Sequence, residues 1–205
     1  MLNDIRELYS ETDTHLLRDE RPSGFLELAY NNPLFGEYPF VMLHDLKRAE
    51  QSPEHHPEGN VWNHTLLVVD QAARVRDKSR NASVFMWAAL LHDIGKPSTG
   101  KVRGNKITSY DHDKAGEKLS ADFLSFFTQD TSSIKEVSGL VRYHMHILYV
   151  LKGLPFADIK GMKQNTDINE VALLGLCDRL GRTNSDRAKE EEHIRVFIKK
   201  CNQIF

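Results

Sequence analysis

The sequence predicts an all-α single domain with one small β-hairpin, and three observations carry that prediction. Apolar residues recur at helical spacing, as in Val84, Ala88, Leu91 and His92 at i, i+4, i+7 and i+8. Helix starts are marked by two capping boxes, Ser133-Ile134-Lys135-Glu136 and Asp167-Ile168-Asn169-Glu170. Strict alternation is confined to Lys101-Val102-Arg103-Gly104-Asn105-Lys106-Ile107-Thr108, a hairpin around a Gly-Asn turn that decorates the bundle and does not build a sheet. With 205 residues, 40% of them apolar and 27% charged, the chain is long enough for one well-buried core.

In chain order, residues 1–50 read as a helical collar, broken by Arg21-Pro22-Ser23-Gly24, by Asn31-Asn32-Pro33 and between Gly36 and Pro39. Residues 51–205 carry the functional domain. They begin with a polar loop, 51–60, that contains His55-His56-Pro57-Glu58-Gly59. A helix from 61 to about 76 then sets His64, Val68, Gln71 and Val75 on one face. The next, 82–93, ends in Leu91-His92-Asp93-Ile94-Gly95-Lys96-Pro97, where Gly95 is expected to turn left-handed and Pro97 to forbid continuation. Beyond the hairpin, Asp111-His112-Asp113 opens a helix through Leu119, Phe123 and Phe126, with an aspartate as N-cap. The helix from Ser133 buries Val137, Leu140 and Val141 in a row that leads to His144. A short helix follows Gly153-Leu154-Pro155, the helix after Asp167 sets Val171, Leu174 and Asp178 on one side, and a charged helix over 185–204 closes the chain.

The chemistry lies in what faces inward. A carboxylate such as Asp178 on an apolar helix face costs several kcal/mol unless it is paired, hydrogen-bonded or bound to metal. His64, His92 with Asp93, His144 and Asp178 face inward from four helices, and His112 stands at a helix start. This set of imidazoles and carboxylates without thiolate suits iron, manganese, cobalt, nickel, zinc or magnesium and excludes a cysteine-type structural zinc site. Six ligands are too many for one ion that must keep a position for water, so two divalent ions are expected, with Asp93 bridging. Lys96, Lys114, Arg179 and Arg182 are candidates to neutralise a substrate phosphate. His146, two residues beyond His144, is expected to point away from it. His55 and His56 lie in a loop where they could line the entrance but more often are mere loop polarity, and His15, His44 and His193 carry no inward pattern.

Composition narrows the partners. Lys and Arg number 27 against 29 for Asp and Glu, so no global basic field draws in nucleic acid. Cys177 and Cys201, without a CxxC, make neither a disulfide framework nor a thiolate metal site. The apolar runs are too short for a membrane span and Met1-Leu2-Asn3-Asp4-Ile5 lacks a secretory pattern, which makes cytoplasmic the expected location.

The order His64, His92-Asp93, Asp178, with Ile94-Gly95 after the central pair, resembles the HD-domain metal-dependent phosphohydrolases. More narrowly, Gln51-Ser52-Pro53-Glu54-His55-His56-Pro57-Glu58-Gly59-Asn60-Val61-Trp62-Asn63-His64-Thr65 and Tyr110-Asp111-His112-Asp113-Lys114-Ala115-Gly116 resemble the C-terminal HD domain of some bacterial CCA-adding tRNA nucleotidyltransferases. The resemblance implies an all-helical HD-type bundle, a first metal at His64, His92, Asp93 and Asp178, and phosphatase and 2',3'-cyclic phosphodiesterase activity. It also implies that His112 and His144 match the extra histidines of HD proteins that hold two metals. Asp93 and Lys96 are then the catalytic candidates, and the substrate is a nucleotide or an RNA end. Asn60 stands where an aspartate is expected, a change that touches hydrogen bonding around the ligands. The nucleotidyltransferase head, a Gly-Ser pair before a strand with two spaced aspartates, is not in this sequence, so nucleotide addition is not expected. The rival reading is a noncatalytic, metal-stabilised module that binds RNA or nucleotides through Lys101, Arg103 and Lys106; the complete inward ligand set favours catalysis.

Overall fold

Asp4 opens the first helix by accepting hydrogen bonds from the amides of Arg6 and Glu7 at 2.7 and 2.9 Å, the service a helix N-terminus needs for its unpaired donors. This helix, α1 (Ile5–Arg18), belongs to a computed structural model that describes residues 4–104 and 106–204. Asn105 of the expected Gly-Asn turn, and the side chains of Arg103 and Lys106, lie outside the described residues. The fold is all-α with a two-stranded antiparallel hairpin, as the sequence predicts.

The N-terminal helices are fastened to the rest by aromatic stacking and by charge. After α2 (Ser23–Tyr30) and α3 (Val41–His44) comes α4 (Val61–Ala73), whose Asp70 takes both the amide and the hydroxyl of Ser23, at 3.0 and 2.8 Å, and so starts α2. Asn60 caps α4 by accepting from the amide of Asn63 at 3.0 Å. Its role is therefore at the helix end, where Asn and Asp serve equally, and not around the ligands. α4 stops at Ala73, short of the expected 76, and a 3-10 turn over Arg76–Lys78 leads to α5 (Ala82–Leu91).

α5 is buried on every side over residues 84–91, the pattern of a helix at the centre of a bundle. It packs against α1, α4 and two later helices, α8 (Thr131–Tyr143) and α11 (Ile168–Leu180). Tyr9 of α1 lies stacked on Trp87, ring centroids 4.7 Å apart, and on Phe127 at 4.2 Å, while the Trp87 indole donates to Asp13 at 2.8 Å.

The turn after α5 departs from the sequence reading. Gly95 has φ −80° and is not left-handed; glycine is needed there because a Cβ would sit 2.1 Å from the carbonyl oxygen of His112. Pro97 does not end a helix but sits in the first turn of a new one, α6 (Lys96–Thr99), where a missing amide costs nothing. β1 (Lys101–Arg103) then pairs with β2 (Lys106–Thr108) in the register Lys101 with Thr108 and Val102 with Ile107. α7 (His112–Ser125) starts without a side-chain cap, because Asp111 has φ +60° and ion-pairs with Lys114 at 2.7 Å.

α8 begins two residues before the expected box, at Thr131, with Asp130 as cap and Ser133 bonded to its carboxylate. The chain breaks again at His144, and a separate helix, α9 (His146–Leu151), follows. α10 (Ile159–Asn165) precedes α11, which Asp167 caps; Glu170 reaches the Ser79 hydroxyl and the Arg80 amide instead of closing a capping box. The last helix is α12 (Arg187–Asn202), and one apolar core runs from Leu8 to Cys201. Among the described residues, no helix is long and apolar enough to cross a membrane.

Candidate metal centre

Three of the inward histidines sit at helix ends and are held in the same way. His92 and His144 follow the last residues of α5 and α8, and His112 begins α7. Each turns its Nδ1 onto the backbone carbonyl three residues earlier: His92 onto Ala89 at 2.8 Å, His112 onto Ser109 at 2.7 Å and His144 onto Val141 at 2.6 Å. A carbonyl only accepts, so Nδ1 is the donor in all three and each Nε2 of the neutral ring presents a lone pair. Burial, with the neighbouring His112 and His92 competing for any positive charge, pushes His144 down to about 4; burial likewise lowers His112 against the pull of Asp93.

These lone pairs converge on Asp93. Its Oδ1 lies 3.5 Å from His112 Nε2 and 3.8 Å from His144 Nε2, while Oδ2 lies 3.2 Å from His92 Nε2 and 2.7 Å from Lys96 Nζ. Burial alone would raise the Asp93 pKa, but the Lys96 ammonium and His92 hold it well below the usual carboxylate range. On the first side, His64 in α4 brings its Nε2 to 3.0 Å from Asp178 Oδ1 of α11. Burial opposes the charged form of His64, yet its bonds to Asp178 and Glu58 win and raise its pKa. Asp178, which burial would raise, is held low by Arg182 and His64.

The donor set fits divalent ions. His112 and His144 face each other Nε2 to Nε2 at 3.2 Å, two lone pairs that repel unless a cation lies between or beside them. His64 Nδ1, His92 Nε2 and Asp93 Oδ2 are buried without a hydrogen-bond partner, and among the described residues Lys96 is the only counter-charge within 3 Å of that oxygen. Ligand atoms of His64, His92 and Asp93 form one group of metal-binding spacing, and those of Asp93, His112 and His144 form another. Asp93 is common to both.

The phosphate candidates divide. Lys96 stands in the cluster, donating to Gln51 Oε1 at 2.6 Å, and Arg182 reaches to 3.8 Å from Asp178 Oδ1. Arg179 is turned to α12 and held by Glu190 and His193; Lys114 is exposed and paired with Asp111, so neither is brought to the cluster. Lys101 is exposed on the hairpin, and the side chains of its proposed companions Arg103 and Lys106 are not described.

Two histidines differ from expectation. His146 is buried, not turned outward, because α8 has already ended and the i+2 rule for a continuous helix no longer applies. Its ring lies against Tyr143 and its Nε2 accepts from the Asp158 amide at 3.2 Å. His56 is not mere loop polarity: its Nδ1 meets Glu58 at 2.8 Å and its ring stands edge-on to His64. Glu58 itself, and Gln51 behind Lys96, escaped the sequence reading. The signal for Glu58 was the pair His56 and Glu58 shortly before the inward His64, across a glycine.

The HD domain family model matches residues 61–183. This chain belongs to the HD domain family. The HD domain superfamily is one of metal-dependent phosphohydrolases, and the buried histidines and aspartates of this HD domain are compatible with divalent metal. Its relatives include the Multifunctional CCA protein of Haemophilus influenzae, 22% identical over 203 residues, 92% of this chain and 47% of that one. That of Mannheimia succiniciproducens is 26% identical over 174 residues, 80% and 41% of the two chains. That of Halorhodospira halophila is 53% identical over 97 residues, 47% and 22%. The chain spans less than half the length of these curated relatives.

Proposed function

We propose that this HD domain hydrolyses phosphomonoesters or 2',3'-cyclic phosphodiesters of nucleotides or RNA ends. Two divalent ions, of iron, manganese, cobalt, nickel, zinc or magnesium, would be held by His64, His92, Asp93 and Asp178 and by Asp93, His112 and His144. The observation that carries the reading is Asp93, whose two carboxylate oxygens face two different sets of buried imidazole lone pairs. Divalent ions there would supply an activated water at neutral pH and polarise a phosphoryl oxygen. Lys96 contributes an ammonium already oriented by Gln51 and Asp93, and Arg182 adds a second positive charge beside Asp178, each able to take a phosphate oxygen. The relatives' name and the resemblance to CCA-adding tRNA nucleotidyltransferases favour RNA ends within that substrate class. Residues 51–205 are taken as the catalytic domain and residues 1–50 as its collar.

The test is turnover of bis(p-nitrophenyl) phosphate by chelated protein and by protein given Mn, Co or Ni, with metal content measured for wild type, His112→Ala and His144→Ala. Metal-dependent turnover and about two equivalents falling to about one in each variant are expected. Absence of turnover with every metal, on this diester and on p-nitrophenyl phosphate as the monoester, overturns the phosphohydrolase reading, and a single equivalent untouched by either substitution overturns the second ion.

A further inference from the structure

His64 is the one ligand histidine that its own backbone does not orient. It sits inside the first turns of α4, where the carbonyl three residues back, that of Val61, is taken by the Thr65 hydroxyl at 2.9 Å. Its Nδ1 instead has a side chain from the preceding loop, Glu58 Oε1, at 2.9 Å, an ion-pair contact that is short but off the hydrogen-bond direction. We propose that Glu58 is the positioning residue of the first metal half-site, the carboxylate that fixes the tautomer and ring direction of His64.

The surroundings of Glu58 are built for that task. Its side chain is only 3% exposed although it belongs to a loop, and Gly59 at φ +103° gives the chain the reversal that folds it under α4. A buried carboxylate is costly unless its oxygens find donors, and here Oε1 faces the Nδ1 atoms of both His56 and His64 while Oε2 accepts from the Thr183 hydroxyl at 3.3 Å. A carboxylate accepts only, so Nδ1 is the nitrogen that keeps its hydrogen toward Glu58, and Nε2, 3.0 Å from Asp178 Oδ1, is the one that would give up its proton for a cation shared with Asp178. The backbone carbonyls of Ala89, Ser109 and Val141 do the same for the other three imidazoles. Glu58 lies outside the stretch that the HD family model matches, and Thr183 closes that stretch.

The inference rests on His64 being a metal ligand, and the experiment separates the two. Co2+ is titrated into metal-free wild type, Glu58→Ala and Glu58→Gln, and uptake is followed by calorimetry and by the visible spectrum, with Glu54→Gln in the same loop as control and circular dichroism as the check on folding. Expected are affinity for one of the two ions about 10- to 100-fold weaker in Glu58→Ala, an altered spectrum, and substantial recovery in Glu58→Gln, whose amide oxygen still accepts from Nδ1. Glu54→Gln is expected to match wild type. Normal Co2+ uptake by wild type with the same affinity and spectrum in Glu58→Ala, or in Glu58→Gln with no recovery needed because Ala already matches, overturns the inference alone. A wild type that takes up no Co2+ overturns the metal reading and the inference with it. If Glu58→Ala does not fold, Glu58→Asp takes its place, because it keeps the charge but shortens the reach to His64 Nδ1: weaker affinity for one ion and a shifted spectrum support the role, and binding identical to wild type overturns it.

Discussion

Gly95→Ala tests how closely the His-Asp turn is pressed against α7. The added Cβ would lie 2.1 Å from the His112 carbonyl oxygen and 2.7 Å from the Gly116 amide nitrogen, the two atoms that the first turn of α7 pairs at i and i+4. The neighbour is backbone and cannot rotate away. Contacts under 3.0 Å are not tolerated, so the turn and the helix must part by roughly 1 Å, carrying His112 away from Asp93. Overpacking of this kind costs about 1–3 kcal/mol, and insertion into a helix hydrogen bond places the cost at the upper end, about 3 kcal/mol. For a domain of this size each kcal/mol lowers Tm by about 2–4 °C, so a fall of about 6–12 °C is expected by differential scanning calorimetry. The protein stays folded at 25 °C, and a displacement of roughly 1 Å at a ligand lowers turnover by about 100-fold. Loss of the ion served by His112 accompanies it in metal analysis. A variant that melts within about 2 °C of wild type and keeps its full metal content would refute the close approach as the reason for glycine.

Asp178→Asn keeps the shape of the side chain but removes the charge opposite His64 Nε2 and Arg182, so metal retention and hydrolysis are lost while circular dichroism stays native; normal activity would sink the assignment of Asp178 as a ligand. Glu190 ties α12 to Arg179 and His193, and although burial raises its pKa, the bonds from His193 and Arg179 lower it below 4.5 in sum. Its stabilisation is therefore present above that ordinary value and disappears as pH falls through the depressed one. Glu190→Gln is expected to melt below wild type at pH 7, with the two curves converging in acid below the ordinary glutamate range; a gap that persists or widens there contradicts the pairing.

The sequence by itself determined which faces are buried. The helical period of Val84, Ala88, Leu91 and His92, the row that ends at His144, and Asp178 on the apolar side of its helix were legible because periodicity is a local property, set by 3.6 residues per turn. The all-α class and the hairpin followed for the same reason. Tertiary structure alone decided what those faces meet. That His112 and His144 approach to 3.2 Å, and that Asp93 turns one oxygen to each half of the cluster, depends on how α7 and α8 pack and on the breaks after α5 and α8. Those breaks also reversed the expected direction of His146. The use of Glu58 was out of reach of any short window, since its meaning comes from Thr183, 125 residues away, and from His64, whose own backbone cannot orient it. Gly95 was read as a helix stop, whereas its lack of a side chain serves a neighbour that the chain reaches only after the hairpin. A period says that a side chain points inward; only the packing of helices distant in sequence says which atoms are waiting there.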